Sequence, residues 1–117
     1  MIGQLLIGLI AVLHVYILVL EMFLWDKPYG LKAFGNSLEK AQLTKVLAQN
    51  QGLYNGFLAA GLFWSLLAPA MYAVALANFF LGCVLVAGIY GGLTASKKII
   101  YIQAVPALIA LITVHFF

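Results

Sequence analysis

Long apolar runs with very few charges constrain the fold of this chain more than any other feature. Of the 117 residues, 66% are hydrophobic and 8% are charged, whereas soluble domains carry roughly 25% charged residues. A folded chain of this length still exposes about a third of the surface of its unfolded form. Six lysines and three acids cannot cover that surface against water. The sequence therefore excludes an ordinary soluble fold and predicts an integral membrane protein.

Four apolar segments divide the chain, and their lengths are close to the roughly 20 residues with which a helix crosses a hydrocarbon core of about 30 Å. None alternates as the strand of a membrane barrel does, and the first is longer than the core of a signal peptide. The sequence predicts an all-α bundle of four transmembrane helices. The single integral membrane domain, residues 1–117, contains helices at about 2–25, 47–68, 70–93 and 99–117.

Local signals refine these boundaries. Pro69 predicts a tight turn between the second and third helices, and Pro106 predicts a kink in the fourth. Asn36 or Ser37 is suited to cap a short helix within the first long connection.

Lysine positions predict the orientation of the chain in the membrane. All six lysines fall in the two loops that four spans place on one face, 26–46 and 94–98. The positive-inside rule makes this face cytoplasmic and leaves both termini and the Pro69 turn outside. We therefore expect a multi-pass protein of the bacterial cytoplasmic membrane, with membrane lipid as its surroundings. The lysines are Lys27, Lys32, Lys40, Lys45, Lys97 and Lys98.

Composition also excludes several partners and cofactors. The chain has no arginine, the residue on which phosphate clamping and base reading mostly depend, so we expect no nucleic-acid partner. One cysteine, Cys83, excludes a disulfide within the chain and any multi-cysteine metal site, and we expect it to pack in the core. No nucleophile with an adjacent base, metal cluster or phosphate loop is visible. We therefore predict no metal and no cofactor.

Polar side chains within the first predicted span are the main candidates for function. Such groups are costly in lipid and usually face the interior of a bundle. His14 and Glu21 are seven residues apart, which places them on one helix face about 10 Å apart along the axis, with Trp25 one turn further. Glu21 and His14 are candidates for a proton donor and acceptor, and Trp25 for a ligand contact. The structural alternatives are an ion pair from Glu21 to Lys97 or Lys45, a neutral His14 hydrogen bonded across helices, and an interfacial Trp25.

The other predicted spans supply further polar groups at similar depths. Counted from the cytoplasmic ends, Glu21 and four of these groups lie in the inner third of the membrane, which predicts one polar pocket if their helix faces converge. The four are Gln51, Asn55, Tyr90 and Gln103. Tyr54 would line the same pocket, and Asn78 would join His14 at a deeper level. His115 is expected to face solvent.

Glycines recur at a spacing of four residues in two predicted spans. Gly52 and Gly56 form one pair, and Gly88 and Gly92 form the other. This spacing is typical of close helix approach. It is compatible with packing inside the chain or with a homo-oligomer contact.

The polar and glycine positions also carry a resemblance to a known family. The stretches LHVYILVLEMFLW, NQGLYNGFLAAGLFW, LGCVLVAGIYG and IQAVPALIAL begin at residues 13, 50, 81 and 102. Together they resemble the small bacterial integral membrane proteins grouped as domain of unknown function family 1304. The resemblance spans nearly the whole chain and implies a four-helix membrane protein without an assigned activity.

Three functions remain open at this point, and the residues do not decide whether the protein is an enzyme. The first is an intramembrane pocket for a small amphipathic or lipid-like ligand, with acid/base chemistry similar to that of membrane-embedded isomerases. The second is a small proton-coupled transporter, similar in length and span count to the small multidrug resistance family but without its motifs. The third is a structural or partner-binding subunit that uses its polar groups for packing.

Overall fold

The computed structural model of the protein describes residues 1–116, and this part of the chain contains helices and no strand. The predicted all-α class is confirmed. The helices are α1 (Ile2–Met22), α2 (Pro28–Phe34), α3 (Leu38–Leu67), α4 (Ala70–Thr94) and α5 (Val105–Phe116), with a π-helical segment (Ile100–Ala104) directly before α5.

Two of these helices, α1 and α4, are long and apolar enough to cross a membrane. The helical stretch Ile100–Phe116 is apolar but shorter. In α3, carboxamide side chains in the middle of the helix reduce its hydropathy. These carboxamides are Gln49, Asn50, Gln51 and Asn55.

The first helix ends three residues earlier than predicted. The backbone N–H of Leu24 donates to the carbonyl of Val19 (3.2 Å), which closes the end of α1. Pro28 then occupies the first turn of α2 and Lys27 before it is extended, with φ −96° and ψ 159°, because a residue that precedes proline avoids the helical region. Residues 23–27 therefore form a turn, and the predicted helix 2–25 is shortened to Ile2–Met22.

The third helix begins at Leu38 instead of at about residue 47. The Ser37 hydroxyl accepts a hydrogen bond from the backbone N–H of Lys40 (3.1 Å), an N-cap contact that stabilises a helix start. Ser37 is thus the predicted cap, but the helix that it starts is 30 residues long. The predicted connection 26–46 therefore contains α2 and the first turns of α3.

Two prolines mark the remaining breaks. Pro69 directly precedes α4, and α3 ends at Leu67, so the predicted tight turn is confirmed. At the end of the π segment, the backbone N–H of Val105 donates to the carbonyl of Ile100. Pro106 has no N–H for a regular α-helical bond, and the π geometry lies immediately before it.

The chain divides into two compact units. The glutamate unit, Leu13–Phe57, holds the second part of α1, all of α2 and the first part of α3. The core unit combines Met1–Val12 with the described residues from Leu58 onward. Its centre is a cluster of buried apolar side chains: Ile7, Ile10, Ala11, Leu62, Ala77, Leu81, Val84, Ala107 and Ala110.

Both glycine pairs pack within the chain. A Cβ atom on Gly88 would lie 2.7 Å from the backbone nitrogen of Ala104, and one on Gly92 would lie 2.0 Å from a side-chain carbon of Ile100. In the glutamate unit, Gly52 and Gly56 face α1 in the same way. The packing interpretation of the two pairs therefore holds, and these faces are covered by residues of the same chain.

Candidate functional site

A buried carboxylate and a buried carboxamide meet in the glutamate unit. Glu21 near the end of α1 is 5% exposed, and Asn55 in α3 is 9% exposed. Asn55 Nδ2 donates a hydrogen bond to Glu21 Oε1 over 2.6 Å. A short bond to an ionisable acceptor is among the stronger hydrogen bonds in proteins. Counting residues from the ends of the predicted helices placed these two side chains at a similar depth, and the structure brings them into contact.

A glycine one turn before Asn55 makes this contact geometrically accessible. A Cβ atom on Gly52 would lie 3.1 Å from Cβ of Glu21 and 3.3 Å from the carbonyl oxygen of Leu18. The backbones of α1 and α3 therefore approach closely at this level, which only a residue without a side chain permits. The short carboxamide of Asn55 can then reach the carboxylate across the interface.

Among residues 1–116, no lysine forms an ion pair with this carboxylate. Lys45, one of the partners expected for Glu21, instead pairs with Asp26, with 3.1 Å between Nζ and Oδ2. That expectation is therefore wrong for Lys45. The hydrogen bond and charge of Lys45 hold the pKa of Asp26 below its usual range.

One oxygen of Glu21 remains available. In residues 1–116 the hydrogen bond of Glu21 is the one that Oε1 accepts from Asn55. No fully buried side-chain nitrogen or oxygen atom in this part of the chain lacks a hydrogen-bond partner, so Oε2 retains a small accessible area. Chemically, such a group can accept a proton or a cationic hydrogen-bond donor.

Trp25 uses its polar atom for structure. The indole Nε1 donates to the hydroxyl of Thr44 (3.0 Å), and the ring lies 4.8 Å from that of Phe34, centre to centre. Thr44 donates in turn to the carbonyl of Lys40 (2.8 Å). Trp25 thus ties the turn after α1 to α2 and α3.

His14 is completely buried, with 0% of its surface exposed. It lies on α1 two turns before Glu21, at an axial distance of about 10 Å. The two side chains are therefore too far apart for a direct proton transfer between them.

The other predicted site residues have different surroundings. In the glutamate unit Gln51 is exposed, and Tyr54 is 60% exposed with its ring 6.1 Å from that of Phe57. In the core unit Tyr90 is 70% exposed and Gln103 is half-buried. Of the side chains predicted to share a pocket with Glu21, Asn55 is the one that contacts it in the glutamate unit.

A second polar pair, in the core unit, was missed by the sequence analysis. His115 Nε2 donates to Asn78 Oδ1 over 2.6 Å, which ties α5 to α4. The sequence predicts Asn78 at the level of His14 and a solvent-facing His115. His115 is indeed exposed, and its hydrogen bond to Asn78 is the contact that the sequence did not predict. The available signal was that both residues lie in the outer half of their predicted spans.

Metal binding has no support in the residues that the structure describes. No group of three or more histidine, cysteine, aspartate or glutamate side chains there is arranged to hold a metal ion. Cys83 is partly buried and is a free thiol.

Comparison with known proteins supports the resemblance in the sequence. The family described as "Protein of unknown function (DUF1304)" matches residues 8–115. The chain is also similar to the uncharacterised protein YpaA of Lactococcus lactis subsp. lactis (strain IL1403), with 33% identity over 110 residues that cover 92% of each chain. No solved structure matches the chain. The chain, with its buried Glu21–Asn55 pair, therefore belongs to the DUF1304 family of proteins of unknown function.

Proposed function

We propose that this protein is a four-span protein of the bacterial cytoplasmic membrane that binds a small amphipathic ligand with a cationic or proton-donating group at Glu21. The observation that carries the proposal is the buried carboxylate, held by Asn55 through one oxygen and paired with no lysine in the part of the chain that the structure describes.

The membrane location is supported by exposed apolar surface. Only 33% of the most apolar stretch of α1 and 22% of that of α4 are buried, whereas the core helix of a soluble protein is mostly buried. Extensive exposed apolar surface marks an interaction with lipid or a partner. The 21 residues of α1 span about 32 Å, which matches a hydrocarbon core of about 30 Å.

We place the second span in α3 from about residue 49 and the fourth in Ile100–Phe116, which gives four spans together with α1 and α4. The two lysine-containing connections then share the cytoplasmic face, and both termini lie outside. The first turns of α3 and the whole of α2 belong to the cytoplasmic boundary in this arrangement.

Charge accounts for the proposed ligand chemistry. A carboxylate within a membrane span costs on the order of a few kcal/mol unless a proton or a cation balances it. Asn55 supplies one hydrogen bond but no positive charge, so a ligand ammonium group or a bound proton would balance the negative charge of Glu21. The apolar part of an amphipathic ligand would lie against the exposed apolar side chains of the same helices, for example Val15 and Val19.

Acid/base chemistry would require a ligand that extends over both polar levels of α1. Glu21 and His14 are about 10 Å apart along the helix axis, so a substrate would have to contact the two groups at separate atoms. Glu21 would act as the proton donor and His14 as the acceptor. The ligand contacts proposed to surround them are Trp25, Gln51, Tyr54, Asn55, Asn78, Tyr90 and Gln103.

A structural function is the second candidate, and a specific observation favours it. Every fully buried side-chain nitrogen and oxygen atom in residues 1–116 has a hydrogen-bond partner. A packing role predicts this, since polar groups that lock helices together satisfy one another. The two candidates differ in whether the negative charge of Glu21 matters.

Binding of a simple cationic amphiphile distinguishes them. We would reconstitute the full chain in lipid nanodiscs and measure binding of decyltrimethylammonium by native mass spectrometry, with decanol as the neutral counterpart. The substitution Glu21→Gln keeps an oxygen acceptor for Asn55 but removes the charge. We expect it to reduce binding of the cation at least about tenfold, a loss of about 1.4 kcal/mol, while binding of decanol does not change.

Glu39→Gln is the matched control, because it removes the same charge from an exposed position in the first turn of α3. The control should bind the cation as the unmodified chain does. Equal binding by Glu21→Gln and the unmodified chain would contradict the ligand proposal. A loss of folded protein in Glu21→Gln without any effect of the cation on the unmodified chain would favour the structural function.

A further inference from the structure

The core unit contains a cleft that the Glu21 site does not explain. Its volume is about 200 Å³, and four helices contribute to its walls near their ends: the start of α1, the end of α3, the start of α4 and the end of α5. Glu21 lies at the other end of α1 and is not among the lining residues. The cleft is therefore a separate candidate for binding.

The base of the cleft is apolar and its side chains carry no charge. Ile7 and Ala77, which line it, are each 3% exposed. Val74 lines it as well and is 49% exposed, so an apolar side chain lies where the cleft meets the surface. A charged ligand group would find no counter-charge among these side chains, which favours a neutral ligand.

Three polar side chains line the cleft, and their hydrogen bonds determine which ligand group fits. The Ser65 hydroxyl donates to the carbonyl of Leu62 (2.6 Å), and the Thr113 hydroxyl donates to that of Ile109 (2.8 Å). Both hydroxyl protons are used, but their oxygen atoms can still accept. Gln4 is exposed and its carboxamide can both donate and accept. A ligand hydroxyl group matches this set.

A hydrogen bond links α4 and α5 beside the wall that they form. Ala77 and Val114 line the cleft, and each is followed directly by one member of the hydrogen-bonded pair Asn78–His115 (2.6 Å). This bond holds the two helices together beside the cleft. A preformed site loses less free energy on ordering when a ligand binds.

Volume limits the size of the ligand. An apolar cavity of about 150 Å³ is enough to bind benzene. A cleft of about 200 Å³ therefore accommodates a substituted ring or a hydrocarbon chain of roughly eight carbon atoms, and not a whole phospholipid.

From the volume, the uncharged side chains of the lining and the polar rim, we infer that this cleft binds a small neutral alcohol, with its hydrocarbon part against Ile7 and Ala77 and its hydroxyl group at Gln4 and Thr113. The inference is independent of the proposed ligand at Glu21, since the cleft favours a neutral compound and Glu21 a cationic one.

Photolabelling of the full chain in lipid nanodiscs tests this site. The probe is an octanol that carries a diazirine on its third carbon, and mass spectrometry of the digested protein locates the label. We expect saturable labelling of the peptides that contain Gln4–Ile7 and Ala73–Ala77, and competition by excess octan-1-ol. The substitution Glu21→Gln should leave this labelling unchanged, which separates the cleft from the proposed function.

Ala73→Phe is the informative variant, because Ala73 lines the cleft and an added phenyl group would fill a large part of its volume of about 200 Å³. We expect labelling of the two peptides to fall at least about tenfold, since a benzene-sized group excludes the probe. Ala75→Phe is the matched control: Ala75 is exposed, does not line the cleft and lies on a different face of α4.

Several results would overturn the inference. One is labelling that does not saturate in the unmodified chain or that spreads evenly over exposed apolar helix faces. Another is equal labelling of Ala73→Phe and Ala75→Phe. If Ala73→Phe does not fold, saturation and competition in the unmodified chain still decide the question. Gln4→Leu supplies a further test, because loss of one hydrogen bond should weaken octanol labelling by roughly threefold to tenfold.

Discussion

Removal of the Asn55 carboxamide should destabilise the chain only when Glu21 is a carboxylate. Asn55→Leu keeps the approximate size of the side chain but removes the donor that Glu21 Oε1 accepts over 2.6 Å. The carboxylate, 5% exposed, would then lack that partner. In a Glu21→Met background no carboxylate is present, so the same substitution should cost little.

The expected size of this coupling follows from two known ranges. A hydrogen bond to a charged group contributes about 1.5–3 kcal/mol in water-soluble proteins, whereas polar contacts between membrane helices average about 0.6 kcal/mol and reach about 1.7. The short distance, the burial of both partners and the close approach at Gly52 favour the upper end of the membrane range. We therefore expect a coupling free energy of about 1.5 kcal/mol.

The assay is a double-mutant cycle over the unmodified chain, Glu21→Met, Asn55→Leu and the double variant. Unfolding by sodium dodecyl sulfate in mixed micelles, followed by circular dichroism, gives the four free energies. Asn50→Leu is the control, since Asn50 is exposed and donates to a carbonyl of its own helix (Val46, 2.8 Å); it should change stability by less than about 0.5 kcal/mol. A coupling free energy below about 0.3 kcal/mol would refute the reasoning.

Two further predictions concern packing and pH. Gly88→Ala should destabilise the chain by about 1–3 kcal/mol, because the new Cβ would lie 2.7 Å from the backbone nitrogen of Ala104. Gly82→Ala is the control: its Cβ would have no atom within 4 Å, so it should be neutral or stabilising by up to about 1 kcal/mol. Equal effects of the two variants in the same unfolding assay would contradict the close approach at Gly88. The Asp26–Lys45 pair lowers the pKa of Asp26 in the folded chain, so its contribution is present above the ordinary aspartate pKa of about 3.9 and is lost as pH falls through the lowered value. The unmodified chain should therefore lose a little stability when the pH falls below about 4. The Asp26→Asn variant should not show this loss when its free energy of unfolding is measured at the same pH values.

Local sequence signals predicted the helical class and its turns well, but polarity was a poor guide to where α3 begins. The first 12 residues of α3, LEKAQLTKVLAQ, are polar at many positions, and their low hydropathy predicts a loop over most of them. Leucine, lysine, alanine, glutamine and glutamate are nevertheless strong helix formers, and Ser37 caps this segment. Hydropathy indicates where a helix leaves the membrane, whereas propensity and capping determine where it starts.

Depth along a helix is much easier to predict than the direction in which a side chain faces. An error of one residue shifts a side chain by about 1.5 Å along the axis but rotates it by about 100° around it. For this reason the sequence predicted that Glu21 and Asn55 lie at one level, yet it also assigned to their pocket Gln51 and Tyr54, which are exposed.

The two observed polar pairs show which additional sequence signal predicts the direction in which a polar side chain faces around its helix axis. Asn55 follows Gly52 on the face where α3 has no side chain to hold it away from α1, and Glu21 is within van der Waals distance of that gap. A glycine that packs closely against another helix thus identifies, one turn away, the polar residue that can reach across an interface. Gly82 lies one turn after Asn78, but a Cβ atom there would have no atom within 4 Å, so it marks no close approach, and Asn78 instead meets the long imidazole side chain of His115. In a chain with so few charges, a polar group one turn from a glycine that packs against another helix is therefore stronger evidence for a contact between helices than its depth in a predicted span, and Gly52 makes Asn55, rather than Gln51, the partner of Glu21.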